Sequence, residues 1–271
     1  MPAGTNAMKI LRKHFRVWKR LSALAIGSYL SSRVDSASYL LGKLIRFGFF
    51  LLLIVSIFRF TKTLAGYSRY EVIFFFLTFN LIDVFSQAFF RGIYQFKNDI
   101  LRGNFDYVLS KPVNALFYSM SRLTDVLDIV FLVPIVLLIF YTAGKLPAPI
   151  TAGAVILYVL LLISGVLIVL GIHILSASIT IWIIESENVI WLYREAMTLG
   201  RFPPEIFPGT VRVVFTFVLP ILLAVAFPAK AFLGLLSWRW ILFAFGYTVS
   251  FFCLSLLLWR ASLAKYSSAS S

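Results

Sequence analysis

Charged residues are scarce in this chain and acidic ones scarcest: 25 Lys and Arg and 11 Asp and Glu among 271 residues, or 13% in all. A soluble domain of this length needs a largely polar exterior, since charged and polar side chains are the ones that stay outside. With 61% hydrophobic residues and 28 Phe, this sequence cannot supply one. Lipid removes the difficulty by acting as an apolar solvent. Several stretches reach the roughly 20 mainly apolar residues that a spanning helix needs. The sequence therefore describes an all-α integral membrane protein.

Cysteine is nearly absent too. Cys253 stands alone in a hydrophobic run, which excludes an intrachain disulfide and a cysteine metal site. The two histidines, His14 and His173, belong to no HExxH motif, and no GxSxG motif occurs. His173, in an apolar run, reads as a packed, hydrogen-bonded residue. No metal or other cofactor is expected in this chain. It also has no GxxxxGK[ST] loop, so it lacks the usual nest of backbone amides that holds ATP. Asn-x-Ser/Thr sequons are missing. The first 35 residues show no cleavable signal pattern, because six basic residues fall between Lys9 and Arg20 with no apolar core directly after them.

The net charge of +14 would suggest nucleic acid in a soluble protein. Here the basic residues gather in the N-terminal segment and in loops, so lipid headgroups are the expected partner and nucleic acid is not. Residues 8–33 contain neither proline nor an acidic residue. Met8, Leu11, Phe15, Trp18, Leu21 and Ala25 share one face at helical spacing; Lys9, Lys13, Arg16 and Arg20 share another. That two-faced pattern predicts a basic amphipathic helix lying in the membrane interface.

Spans are expected at about 38–60, 71–90, 123–142, 150–172 and 240–259. Lys43 and Arg46, early in the first, can snorkel to the interface. The third has a helical lead-in from Val113, and the fourth a tail descending to Ile184. Residues 189–202 are ambiguous, because Arg194 and Glu195 sit in their middle. Counted as a short fifth span they give six. With a cytoplasmic N-terminus, Lys and Arg then number 14 on the cytoplasmic side, 7 of them in residues 1–36 and 5 in residues 91–122, against 8 outside. The expected organisation is a cytoplasmic amphipathic helix (1–36), a permease domain (37–260) and a cytoplasmic tail (261–271).

Charges inside spans are few. Asp83 and Asn80 lie in the second, Asp125 and Asp128 near the start of the third with Arg122 one turn before. Arg122 and Asp125 read as a structural pair. Asp83, with no partner one turn away, reads as a pathway residue favouring cationic or amphipathic substrates, because an intramembrane charge is costly and usually functional. Pro203, Pro204, Pro208, Pro220 and Pro228 exclude one continuous helix through 200–230. The stretch VVFTFVLPILLAVAF is too apolar for an aqueous loop, so short broken helices that enter the membrane and return are expected.

The order of these features, with the phrases LRGNFDYVLSKP and FPPEIFP…LP…FPAK, resembles type-2 ABC exporter permeases, in particular the branch of daunorubicin and viologen exporter subunits. The resemblance covers nearly the whole chain. It implies six spans, a cytoplasmic turn at Glu185 and Glu187, and an outer re-entrant pair over about 204–234 containing Pro204, Pro208, Pro220 and Pro228. It further implies a second permease chain, identical or similar, and separate ABC ATPase subunits that bind ATP and Mg. The implied setting is a bacterial inner or plasma membrane. A membrane-embedded enzyme for lipid-linked substrates is the alternative, but it would need clustered carboxylates or histidines at one depth.

In residues 91–112 a short cytoplasmic helix is expected around Gln95–Arg102, ended by Gly103. Ile93, Phe96 and Ile100 share a face, with Lys97, Leu101 and Arg102 beside it. An apolar knob with a charged rim suits insertion into a partner's groove. The resemblance makes that partner the ATPase.

Overall fold

The long apolar runs fold as long helices, since a helix satisfies its own backbone where no water can. A computed structural model describes residues 3–147, 149–183 and 189–267. Among them α-helices dominate, and the β-structure is one isolated bridge, Leu64 to Tyr67, in a surface loop. The chain opens with α1 (Ala3–Ser31) and, after a break at Ser32, α2 (Arg33–Phe60). Helix α3 (Arg69–Phe90) starts with a capping box between Ser68 and Glu71 and runs on through a 3-10 turn, Arg91–Gln95, into α4 (Phe96–Leu101). Two short helices follow, α5 (Asn104–Ser110) and α6 (Ala115–Ser121). The next are α7 (Val126–Ala143), α8 (Ala152–Trp182) and α9 (Val189–Met197). Helix α10 (Gly209–Val213) continues as a π-helical stretch, Val214–Val218, before α11 (Ile221–Phe232) and α12 (Trp238–Ala264).

Among the described residues, five helices are long and apolar enough to cross a membrane: α2, α3 with α4, α7, α8 and α12. The segments Gly209–Val218 and Ile221–Phe232 meet at 98°, a sixth if they are counted as one broken span. This is the proline-broken geometry expected of a re-entrant segment, with Pro220 at the bend and Pro228 inside α11. The expected fifth span is α9 plus a 3-10 turn, Thr198–Arg201. At 1.5 Å per α-helical residue and about 2 Å per 3-10 residue it is about 20 Å long, short of the ~30 Å hydrocarbon core. The tail expected after the fourth span is instead a direct continuation of α8 to Trp182. The charged turn at Glu185 and Glu187 lies outside the described residues.

Helices α3 and α8 form the centre of the bundle, and α11 lies in their midst with every residue buried except Lys230. Gly165 on α8 makes this possible, for a Cβ there would stand 2.3 Å from the Ala224 carbonyl oxygen of α11. Small residues at such crossings matter in lipid, where association relies on close packing and interhelical hydrogen bonds. Thr78 of α3 bonds the Tyr158 hydroxyl of α8 at 3.0 Å, and Ser164 of α8 bonds Thr248 of α12.

Candidate transport cleft and coupling segment

Between α2, α3, α9 and the 198–201 turn is a cleft walled by four cations, Lys43, Arg46, Arg194 and Arg201, and one carboxylate, Asp83. Its volume is about 40 Å³. Asn80 and Asp83, expected to line a pathway, are both in its wall. Asp83 is not the unpaired charge that its own helix suggested: Arg194 Nη1 donates to its Oδ1 at 3.1 Å. The expectation of a cation preference rested on that missing partner and loses its ground. Glu195, next to Arg194 in sequence, is exposed on α9. A charge at mid-membrane costs about 2.5–3.5 kcal/mol on insertion scales, and pairing within the bundle offsets much of that.

Lys43 departs from expectation: it turns into the cleft and forms an ion pair with the fully buried Asp128 of α7. Arg46 lines the same cleft and is exposed. Arg201 stands over two aromatic rings, its Cζ 4.6 Å from the centre of Phe50 and 5.6 Å from that of Phe79. Nothing in the spacing of Lys43, Arg46 and Arg201 along the chain brings them together. The available signal was their shared rarity, as cations within or at the ends of apolar runs.

Arg122 does not pair with Asp125. Its guanidinium grips Asp99 of α4 with two bonds, at 2.8 Å and 2.6 Å. Asp125 instead caps α7, accepting from the backbone of Leu127 and Asp128, and pairs with Arg91. The reason is a break in the helix: the lead-in helix α6 ends at Ser121 and α7 begins at Val126, so Arg122 and Asp125 do not share a helix. His173 is fully buried, donates from Nδ1 to the Val169 carbonyl at 2.8 Å and is ringed by Phe90, Tyr94 and Tyr193.

The short helix expected in residues 91–112 forms close to its expected place. Helix α4 ends at Leu101, and Gly103 takes the left-handed backbone (φ +69°) that favours glycine. Its orientation is the reverse of the expected one. Ile93, Phe96 and Ile100 are buried in the chain's own core, Phe96 against Phe105 and Trp259 at 4.9 and 5.8 Å between ring centres. They cannot be the knob offered to a partner. Leu101 and Arg102 are outside, joined by Tyr107 of α5, which is 71% exposed; Lys97 is half-buried. The segment is further braced by the chain's end, where Tyr266 donates to Asp106 at 2.9 Å. Burial, and then the Asp106 carboxylate, push the Tyr266 hydroxyl up to about 12.

On α1, Leu11, Phe15, Arg16 and Arg20 are exposed, and Trp18 packs on Phe89 with ring centres 6.1 Å apart. Leu11, Phe15 and Trp18 line one apolar groove with Phe89 and Phe117. In the re-entrant segment Pro204 is buried in a 3-10 turn and Pro208 caps α10. Glu205 there pairs with Lys230 and accepts from the Tyr67 hydroxyl at 3.1 Å, fixing the segment to the loop before α3. Burial pushes the Glu205 carboxyl up, but its bond to Lys230, the Lys230 charge and Tyr67 together hold it below its ordinary value.

Residues 44–270 match a family model described as ABC-2 family transporter protein. The match runs from within α2 through α12 and does not single out a branch. No curated protein and no solved structure matches the chain.

Proposed function

The chain belongs to the ABC-2 family of transporter proteins, and from that premise we propose that it is the permease subunit of an ATP-driven exporter, acting with a second permease chain and separate ATPase subunits. Membership makes it a multi-pass membrane component of an ABC transporter. The finer reading places it in a bacterial inner or plasma membrane, with ATP and Mg bound by the partner.

One observation supports ATPase coupling most directly. The α4–α5 elbow between the long helix α3 and α7 is rigidly built, by the Asp99–Arg122 fork and the Phe96–Phe105–Trp259 cluster, yet leaves Leu101, Arg102 and Tyr107 outside. A braced surface with apolar side chains exposed can pass a push from a docked motor into the bundle; a loose loop would absorb it. Movement of the motor would tilt α3 through this elbow and expel substrate outward.

The test is capture of the tagged full-length chain from its native membrane, with identification of what comes with it. The expected companion is a chain carrying a GxxxxGK[ST] loop whose ATP hydrolysis rises on reconstitution with this protein. Repeated capture without any such chain would defeat the reading.

A further inference from the structure

The cleft between α2, α3 and the 198–201 turn carries more positive charge than its structure uses. Asp83 is engaged by Arg194, and Lys43 by Asp128. Among the described residues, Arg46 and Arg201 form no ion pair with any carboxylate, although they line the same cavity and their charges repel. Glu195, the further carboxylate whose field reaches Arg201, is exposed on α9 and bonds to neither. Arg201 is half-buried, Arg46 is exposed, and the described carboxylate in the wall, Asp83, is bonded to Arg194, so an anion from outside the chain can bond both guanidinium groups directly. Arginine presents a planar fork of donors that matches phosphate in a two-pronged fashion.

The cleft walls fit one class of anion. Phe47, Phe50, Phe76 and Phe79 line it beside the cations, so a charged group sits against apolar faces. A cavity of about 40 Å³ admits a headgroup or a few waters, but no whole amphiphile. The apolar remainder of a ligand would lie outside it, along the lipid-facing side of α2, where Phe49, Leu52 and Leu53 are exposed.

We propose that Arg46 and Arg201 bind the phosphate of an anionic amphiphile, and that the transported substrate belongs to this class. This rests on the permease reading for the word transported, but not for the binding.

Binding is measured on the purified full-length chain in neutral detergent, without any ATPase. The probes are dihexanoyl phosphatidic acid, dihexanoyl phosphatidylcholine and inorganic phosphate. The expected result is at least tenfold tighter binding of phosphatidic acid than of either other probe. Arg46→Gln with Arg201→Gln should abolish that preference; Arg46→Lys with Arg201→Lys should keep part of it; Arg239→Gln, far from the cleft, should keep all of it. Should the double Gln variant melt early, the single variants carry the comparison. Equal binding of the two lipids overturns the proposal, as does unchanged preference in folded Gln variants. Inorganic phosphate binding as tightly as phosphatidic acid overturns the amphiphile and leaves a free-phosphate site. Failure here leaves ATPase capture untouched, and failed capture leaves this binding untouched.

Discussion

Arg194 donates to Asp83 at 3.1 Å, tying α9 to α3 across 111 positions of sequence. Both side chains are mostly buried, with 25% and 19% exposed. Removing one partner strands the other. Loss of one member of a fully buried pair costs about 3–5 kcal/mol, so with this residual exposure about 2–3 kcal/mol is expected from Asp83→Asn or Arg194→Gln. The double variant Asp83→Leu, Arg194→Leu should recover most of that, since an apolar pair leaves no stranded charge. Melting of the detergent-purified proteins compares the three; singles as stable as wild type would show the pair to be dispensable.

That pair also shows where sequence reading reaches its limit. Helical period and run length locate α2, α3, α7, α8 and α12, because a spanning helix carries its own signal in about 20 residues. The five prolines locate the break before α11. Pairing is different. Arg194 looks isolated within its own segment, and only the packing of the following turn, Thr198–Arg201, on α3 brings it to Asp83. Likewise the spacing of Ile93, Phe96 and Ile100 gives one shared face, but which face is covered depends on Phe105 and Trp259. Lys43 reads as an interfacial residue because its partner, Asp128, belongs to a helix far along the chain.

The Glu205–Lys230 pair predicts a pH response. The carboxyl is held below its ordinary value of 4.5 in the folded state, so the folded protein binds this proton less readily than the unfolded one. Its contribution is complete above pH 4.5 and fades as pH falls through the lower folded value. Wild-type melting should therefore drop on acidification below that point. Glu205→Gln should start lower at neutral pH and lose less on acidification. Parallel pH curves for the two proteins would remove Glu205 from the acid response.

Helix α1 should hold to membranes through its apolar face. A peptide of residues 8–33 is expected to bind anionic liposomes at low salt, with Arg16 and Arg20 meeting the headgroups. Changing Phe15 and Trp18 to Glu should abolish binding. Since Trp18 also packs on Phe89 in the whole chain, the same change there should loosen α1 and raise its protease sensitivity. A wild-type peptide that stays in solution would contradict an interfacial role.

The buried and exposed sides of the α4–α5 elbow predict opposite phenotypes. Phe96 is 1% exposed and Ile100 4%. Large-to-small changes at such sites cost about 2–5 kcal/mol each, and a Ser hydroxyl adds a buried polar group. Phe96→Ser with Ile100→Ser should therefore lower the melting temperature and the yield of the protein, whatever it does to transport. Leu101 and Tyr107 are 51% and 71% exposed, so Leu101→Asp with Tyr107→Asp should leave melting nearly unchanged. If the elbow is where the motor docks, that second variant loses ATPase co-purification and ATP-driven export while remaining folded. The comparison is made on both pairs with melting and pull-down measured together, because only a stable protein that has lost its motor identifies a docking surface. Retention of the ATPase by the Asp variant, with normal export, would move the contact elsewhere on the protein and leave the elbow a brace for α3.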